Sequence, residues 1–184
     1  MQHDIIFSGF GGQGALFAGQ LLAYAAMDAG KHVTWIPSYG PEMRGGTAHC
    51  VVIVSDEEIG SPLVRNPSNV VALNNPSVEK YEPLLAANGN LIYNSSLTSH
   101  VITRHNIHAI PIPASDIAAE LGHAKLLNML MLGALIDRTQ VLPIEAIDLA
   151  LNNHIPAHRR DLLELNKLAL RRGIEITQSI FVTV

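Results

Sequence analysis

Between a short apolar run and a long alanine- and leucine-rich stretch stands Gly9-Phe10-Gly11-Gly12-Gln13-Gly14. Gly9, Gly11 and Gly14 match G-x-G-x-x-G, and the setting is the one this spacing requires, a strand before it and a helix after it. Asp4-Ile5-Ile6-Phe7-Ser8 reads as the strand, and a helical pattern runs from Gln13 to Ala29 until Gly30 stops it. His32-Val33-Thr34-Trp35-Ile36-Pro37 is the next strand. The chain therefore opens as a βαβ unit, whose crossover predicts two neighbouring parallel strands of right-handed connection.

The rest of the chain continues the alternation. Ala48–Ser55, Asn69–Leu73, Leu91–Tyr93 and Ile107–Ile112 are β-branched or apolar runs that predict strands, with proline- and glycine-rich connections at Ser38–Gly46 and Asp56–Asn69. Helices are predicted over Ser77–Ala87, interrupted by Pro83, over Ile144–Asn152, and over Ala157–Arg172, where Gly173 ends the pattern. Ser115–Arg138 reads as one long buried helix capped by Ser115 or Asp116. Ile174–Val184 is β-rich and predicts an edge strand or a segment docked on a partner. No repeat, low-complexity tract or linker divides the chain, so residues 1–184 are expected to form one α/β domain: three layers, a mostly parallel sheet flanked by helices, with a Rossmann-like start.

Composition narrows the partners. Twelve Lys and Arg against sixteen Asp and Glu leave a net charge of −4, and no basic run is dense enough to follow a phosphate backbone, so nucleic acid is not an expected partner. The single cysteine, Cys50, cannot supply the thiolates of an iron-sulfur cluster or a structural zinc site. The start of the chain has no basic region ahead of an apolar stretch, and no apolar run approaches the roughly 20 residues of a membrane span, which reads as a soluble cytoplasmic protein without membrane association. Apolar residues at 48% and charged residues at 15% imply subunit contacts.

Glycines at the end of a strand let backbone approach a phosphate at the positive end of the following helix. They also serve a tight turn and close helix packing with no ligand at all. Gln13 is the residue a purely structural turn does not need. A nicotinamide dinucleotide would call for an acid at the end of the second strand, yet that strand runs into Ser38, and the first acid beyond is Glu42. Ser38-Tyr39-Gly40-Pro41-Glu42-Met43-Arg44-Gly45-Gly46 gathers a hydroxyl, a phenol, a carboxylate and a guanidinium on one loop. Arg44 between glycines suits bidentate capture of a phosphate or carboxylate, and this loop should face Gly9–Gly14 at the carboxyl ends of neighbouring strands. His105 with His108, and His154 with His158, lack further ligands and read as ordinary surface or cap histidines. No G-x-S-x-G elbow supports a serine hydrolase. Asn128 is a polar side chain in an apolar helix, where a buried amide needs partners in a loop or a neighbouring subunit.

Gly9–Gly14, Ser38–Gly46, and Asn128-Met129 with Leu132-Gly133-Ala134 together resemble the gamma subunit of 2-oxoacid:ferredoxin oxidoreductases over nearly the whole chain. Ser61-Pro62, Asn74-Asn75-Pro76-Ser77 and Asn94-Ser95-Ser96 are most similar to the 2-oxoglutarate type, while His123 and Asn166–Leu170 depart from the common pattern. The resemblance implies an enzyme subunit, itself non-catalytic, in a complex that decarboxylates a 2-oxoacid on thiamine diphosphate and passes the acyl group to coenzyme A. Electrons leave through iron-sulfur clusters to ferredoxin. Thiamine diphosphate, magnesium and the clusters would belong to alpha, beta and delta (ferredoxin-like) partners, with none bound by this chain alone. Gly9, Gly11, Gly12, Gln13, Gly14, Ser38 to Gly46 and Asn128 would be cofactor-binding or interface residues, with coenzyme A at the complex interface. A free-standing NAD-binding oxidoreductase and a structural homodimer are the alternatives. Arg44→Ala is expected to lower coenzyme A turnover or subunit association while circular dichroism of the isolated chain stays unchanged. Normal assembly and turnover of the variant would remove the role given to that loop.

Overall fold

Strand β1 (Gln2–Gly9) is apolar on both faces, with Ile5 and Phe7 buried on one side and Ile6 on the other, so it belongs inside a sheet. A computed structural model, which describes residues 1–38, 48–155 and 157–182, places it there. The six-stranded sheet has the order β2-β3-β1-β4-β5-β6, with β2 at His32–Ser38, β3 at Ala48–Ser55, β4 at Asn69–Ala72, β5 at Asn90–Asn94 and β6 at His108–Ile112. Strands β1, β4, β5 and β6 are parallel in sequence.

The predicted adjacency of β1 and β2 is corrected. They run in the same direction, but β3 lies between them, antiparallel to both. Too few residues separate β2 from β3 for a crossover helix, so the two pair antiparallel. Helix α1 (Ala15–Asp28) then crosses from β1 to the sheet edge, and β3 is the one strand that runs against an otherwise parallel sheet. In register, Gly9 lies opposite Ala48 and Ser38 opposite His49. The ends of β1 and β2 thus flank the first residues of β3 at one end of the sheet.

Helices cover both faces. The larger core packs α1 and α4 (Leu127–Thr139) against Phe7, Val52, Val71 and Ile92. On the other face, Val78 and Tyr81 of α2 (Asn75–Tyr81) cover Ile6, Val70 and Leu91. The connection after β5 is anchored by Glu82, only 3% exposed, which accepts from the amides of Thr103 (2.7 Å) and Arg104 (2.9 Å) and pairs with His100 Nε2. Burial favours the protonated carboxyl, but these donors outweigh it and hold Glu82 below the ordinary range.

The long helix expected over Ser115–Arg138 is two helices. Helix α3 (Ala114–Glu120) stops where Gly122 takes a φ of 83°, and His123 follows in extended backbone, its Nδ1 accepting from the Lys125 amide at 3.3 Å. Neither Ser115 nor Asp116 is the cap. The α3 start is instead tied to β5, with Asn94 Nδ2 donating to Ser115 Oγ at 2.9 Å and Ser115 N donating to Asn94 Oδ1 at 3.3 Å. After α5 (Ile144–His154), α6 (Leu163–Val182) runs straight through Gly173, so the predicted edge strand over 174–184 is helix as far as the described residues reach.

The reason is close packing. A Cβ at Gly173 would overlap the Leu130 carbonyl, and one at Gly133 would overlap the Leu170 carbonyl. These glycines let the backbones of α4 and α6 touch, as small residues do where two elements approach closely. Ile176 and Ile180, one helical turn apart, pack on the core below them. Gly173→Ala is therefore expected to destabilise the chain by about 2 kcal/mol through overpacking, against the roughly 1 kcal/mol that helix propensity alone would add. Urea denaturation decides the sign, and a stabilised variant would refute the contact.

Candidate functional site

The glycine-rich turn is held by its own glutamine. Gln13 Oε1 accepts from Phe10 N at 2.7 Å and from Asn74 Nδ2 at 3.0 Å, and Nε2 donates to the Leu73 carbonyl at 3.3 Å. Leu73 N in turn donates to the Ser8 carbonyl at 2.8 Å. Asn74 caps α2, its Oδ1 accepting from the amide (3.0 Å) and hydroxyl (2.7 Å) of Ser77. A Cβ at Gly9 would come within 2.9 Å of both Leu73 Cβ and Gln13 Oε1, so only glycine lets the turn sit this close to β4. The Gln13 side chain, expected to serve a ligand, thus spends its hydrogen bonds on the turn while still forming part of a cavity wall.

That cavity, about 510 Å³, opens at the carboxyl end of β1. Gly11, Gly12, Gln13, Gly14 and Asn128 all line it, with Gly9 buried immediately behind. Asn128, 6% exposed, donates through Nδ2 to the Gly14 carbonyl at 3.2 Å and fastens α4 to the turn. Gly14 adopts a φ of 83°, and a Cβ there would overlap the Asn128 amide. Helix α1 starts at this point with no side-chain cap and no acid in its first turn. The amides of Ala15, Leu16 and Phe17 have no intrahelical partner and form the positive end of the helix. Phe10, Leu126, Ile155 and Leu162 add apolar surface, with His123, Lys125, Asp161 and Asn166 as the other polar lining residues.

Ser38 is exposed at the end of β2 and does not line the cavity. Tyr39, Gly40, Pro41, Glu42, Met43, Arg44, Gly45 and Gly46 lie outside the described residues. The sequence reading did not assign His123, Lys125 or Asn166 to the site. They reach it because α3 and α4 are separate helices and because α6 lies against α4, neither of which hydrophobic periodicity signals.

Other ionisable groups do not complete a reactive centre. Cys50 is buried under α1, its Sγ 3.8 Å from the Ala15 carbonyl, and burial pushes the thiol up to about 12. His49, on the opposite sheet face, is held below the ordinary histidine range by burial and then by Lys80, and its ring is tilted against Tyr81 at 6.1 Å. Burial also pushes Tyr81 up to about 12. Among the described residues, no group of three or more His, Cys, Asp or Glu is placed to hold a metal ion, and no helix is long and apolar enough to cross a membrane. The residues present do not fit an iron-sulfur cluster. The arrangement instead suits a ligand with an anionic or carbonyl end at α1 and an apolar, hydrogen-bonding body.

Sequence and fold together match a defined class. Residues 4–176 match the family model for pyruvate ferredoxin/flavodoxin oxidoreductase, and the chain belongs to this family. The 2-oxoglutarate synthase subunit KorC of Methanothermobacter marburgensis is 34% identical over 183 residues, covering 96% of this chain and 97% of KorC. The ketoisovalerate oxidoreductase subunit VorA of Methanothermobacter thermautotrophicus is 43% identical over 129 residues, which are 70% of this chain and 27% of VorA. This chain therefore matches only about a quarter of that relative's length. The solved structure of the keto/oxoacid ferredoxin oxidoreductase gamma subunit from Geobacter sulfurreducens PCA superposes with a TM-score of 0.83 at 30% identity, over 96% of this chain and 99% of that one. The gamma-subunit resemblance read from the motifs thus holds for the whole fold.

Gly14→Ala is expected to cost about 2 kcal/mol, from the left-handed backbone and the clash with Asn128. Combined with Asn128→Ala it should cost less than the sum of the two single changes. Urea unfolding of the purified chain measures the cycle, and strict additivity would show that the two residues do not meet.

Proposed function

We propose that this chain is the gamma subunit of a multi-subunit 2-oxoacid:ferredoxin oxidoreductase of the cytoplasm, that the acid is 2-oxoglutarate, and that the cavity beside the glycine-rich turn is its share of the coenzyme A site. In the assembled enzyme, 2-oxoglutarate, coenzyme A and oxidised ferredoxin would give succinyl-coenzyme A, carbon dioxide and reduced ferredoxin. Thiamine diphosphate with magnesium supplies the decarboxylation chemistry and the clusters carry the two electrons, all on alpha, beta and delta partners. This chain's own residues bind and orient. The open α1 N-terminus draws phosphate or carbonyl oxygen, and the apolar wall from Phe10 to Leu162 excludes water from the acyl acceptor.

The observation that carries the reading is the uncapped, acid-free start of α1 at a cavity of about 510 Å³, a volume in the range of small-molecule sites. KorC supports 2-oxoglutarate over a branched acid, because its similarity extends over nearly all of both chains. The NAD reading is weaker: the neighbour of β1 on that side is antiparallel β3, beginning Ala48-His49, where a ribose-binding strand end would have to be.

Affinity purification of the tagged chain from its native cells, followed by mass spectrometry and coenzyme A-dependent assays with 2-oxoglutarate, pyruvate and 2-oxoisovalerate, tests the proposal. Thiamine- and cluster-bearing chains are expected to co-purify, with turnover favouring 2-oxoglutarate at least tenfold. Preference for another acid would correct the substrate. Recovery of the chain alone with a bound nicotinamide cofactor would overturn the subunit assignment.

A further inference from the structure

Two buried asparagines stand in the cavity with half of each amide unused. Asn128 is 6% exposed and Asn166 is 9% exposed. Each spends its Nδ2 on a backbone carbonyl, Asn128 on Gly14 at 3.2 Å and Asn166 on Leu162 at 2.9 Å. These donors fix which side of each amide is the oxygen. Neither Oδ1 accepts a hydrogen bond from any described residue, yet neither is among the side-chain atoms sealed from solvent without a partner. Both side chains line the cavity. With no donor among the described residues, the unused acceptors face the cavity that both side chains line.

We infer that Asn128 Oδ1 and Asn166 Oδ1 form a paired acceptor for the secondary amides of the pantetheine arm of coenzyme A, an assignment that rests on the coenzyme A reading above. The walls differ in kind. At the start of α1, the amides of Ala15, Leu16 and Phe17 are donors without partners and attract anionic or carbonyl oxygen. The α4 and α6 side presents the two amide oxygens, which take N–H groups, with the Lys125 ammonium beside them. Phe10, Leu126 and Leu162 supply apolar contact between the two. A ligand that satisfies all three carries N–H donors, carbonyl or phosphate oxygens, and methylene spacers along one flexible chain. Secondary amides joined by short alkyl segments have that pattern, and a bare inorganic phosphate or a 2-oxoacid lacks the N–H groups. Leaving a buried acceptor empty is costly, so these asparagines also discriminate against ligands that enter without a donor.

The test uses the native complex with either coenzyme A or pantetheine as acyl acceptor. Asn166→Leu is expected to raise KM for both acceptors about fivefold to tenfold, the weight of one lost neutral hydrogen bond, with the effect on KM for the acceptor rather than on kcat. Asn166→Asp keeps an acceptor at the same place but loses the Nδ2 donor to Leu162. It should leave KM for pantetheine, which carries no phosphate to be repelled, within twofold of the native value. Equal effects from the two substitutions would overturn the inference, because they would trace to the lost Leu162 bond. So would an unchanged acceptor KM in Asn166→Leu. Isothermal titration of the complex with desulfo-coenzyme A reads the same difference if turnover is lost in either variant. If the native complex turns over without any acyl acceptor, the coenzyme A reading itself fails. An acceptor-dependent native complex with indifferent Asn166 variants sinks only the present inference.

Discussion

The side chain of Gln13 joins three elements that otherwise have no reason to end at one place. By bonding Phe10, the Leu73 carbonyl and the cap residue Asn74, it ties the turn after β1 to the end of β4 and to the first turn of α2. The Gly9 contact with Leu73 leaves no room for any other residue in that position. With the turn so fixed, α1 must leave the sheet with its N-terminus facing outward. The cavity exists because that N-terminus is positioned by bonds behind it and is not capped from the front. Polar networks of this kind stabilise little more than they cost to desolvate, but they specify one geometry.

The second constraint is the contact between α4 and α6. Gly133 and Gly173 bring each helix backbone against a carbonyl of the other. This places the start of α6 over the start of α4, and with it Asn166 on the same cavity as Asn128. One asparagine is held by the turn and the other by its own helix, so the two acceptors are set by independent parts of the fold. A site wall built this way has little freedom to rearrange, which favours a ligand of fixed hydrogen-bonding pattern.

Much of the fold was legible before any coordinates. The strands all fall where apolar and β-branched runs predict them, and the central strands β1 and β4, buried on both faces, need such a run and little else. What failed to show were features set by tertiary contact. An antiparallel β3 between β1 and β2 follows from the length of a connection, not from the composition of any strand. Gly173 has the look of a helix stop because glycine more often ends a helix than allows two to touch, and the β-branched residues after it made the error self-consistent. Gly122 broke the expected long helix through a positive φ that an apolar pattern on both sides conceals. For the site, the glycine turn and Asn128 were visible as residues out of keeping with plain core or plain turn. Asn166 was not, since one amide in an amphipathic helix is unremarkable until its neighbour across the cavity is known.

Chemistry in this chain is limited by what it buries as much as by what it exposes. Its one thiol lies under α1 with its pKa near 12, so it is neither a nucleophile nor a ligand at neutral pH. The histidine nearest the sheet end, His49, is on the opposite face from the cavity, against Tyr81, and is biased toward its neutral form. The cavity itself holds donors, acceptors and apolar surface, with Lys125 and Asp161 as opposite charges among its exposed residues. Such a set can hold and orient a ligand. A reaction that breaks a carbon–carbon bond and moves two electrons needs groups that the described residues do not provide. On the proposed function, this fold contributes shape and hydrogen bonds to a reaction whose reacting groups stand on other subunits.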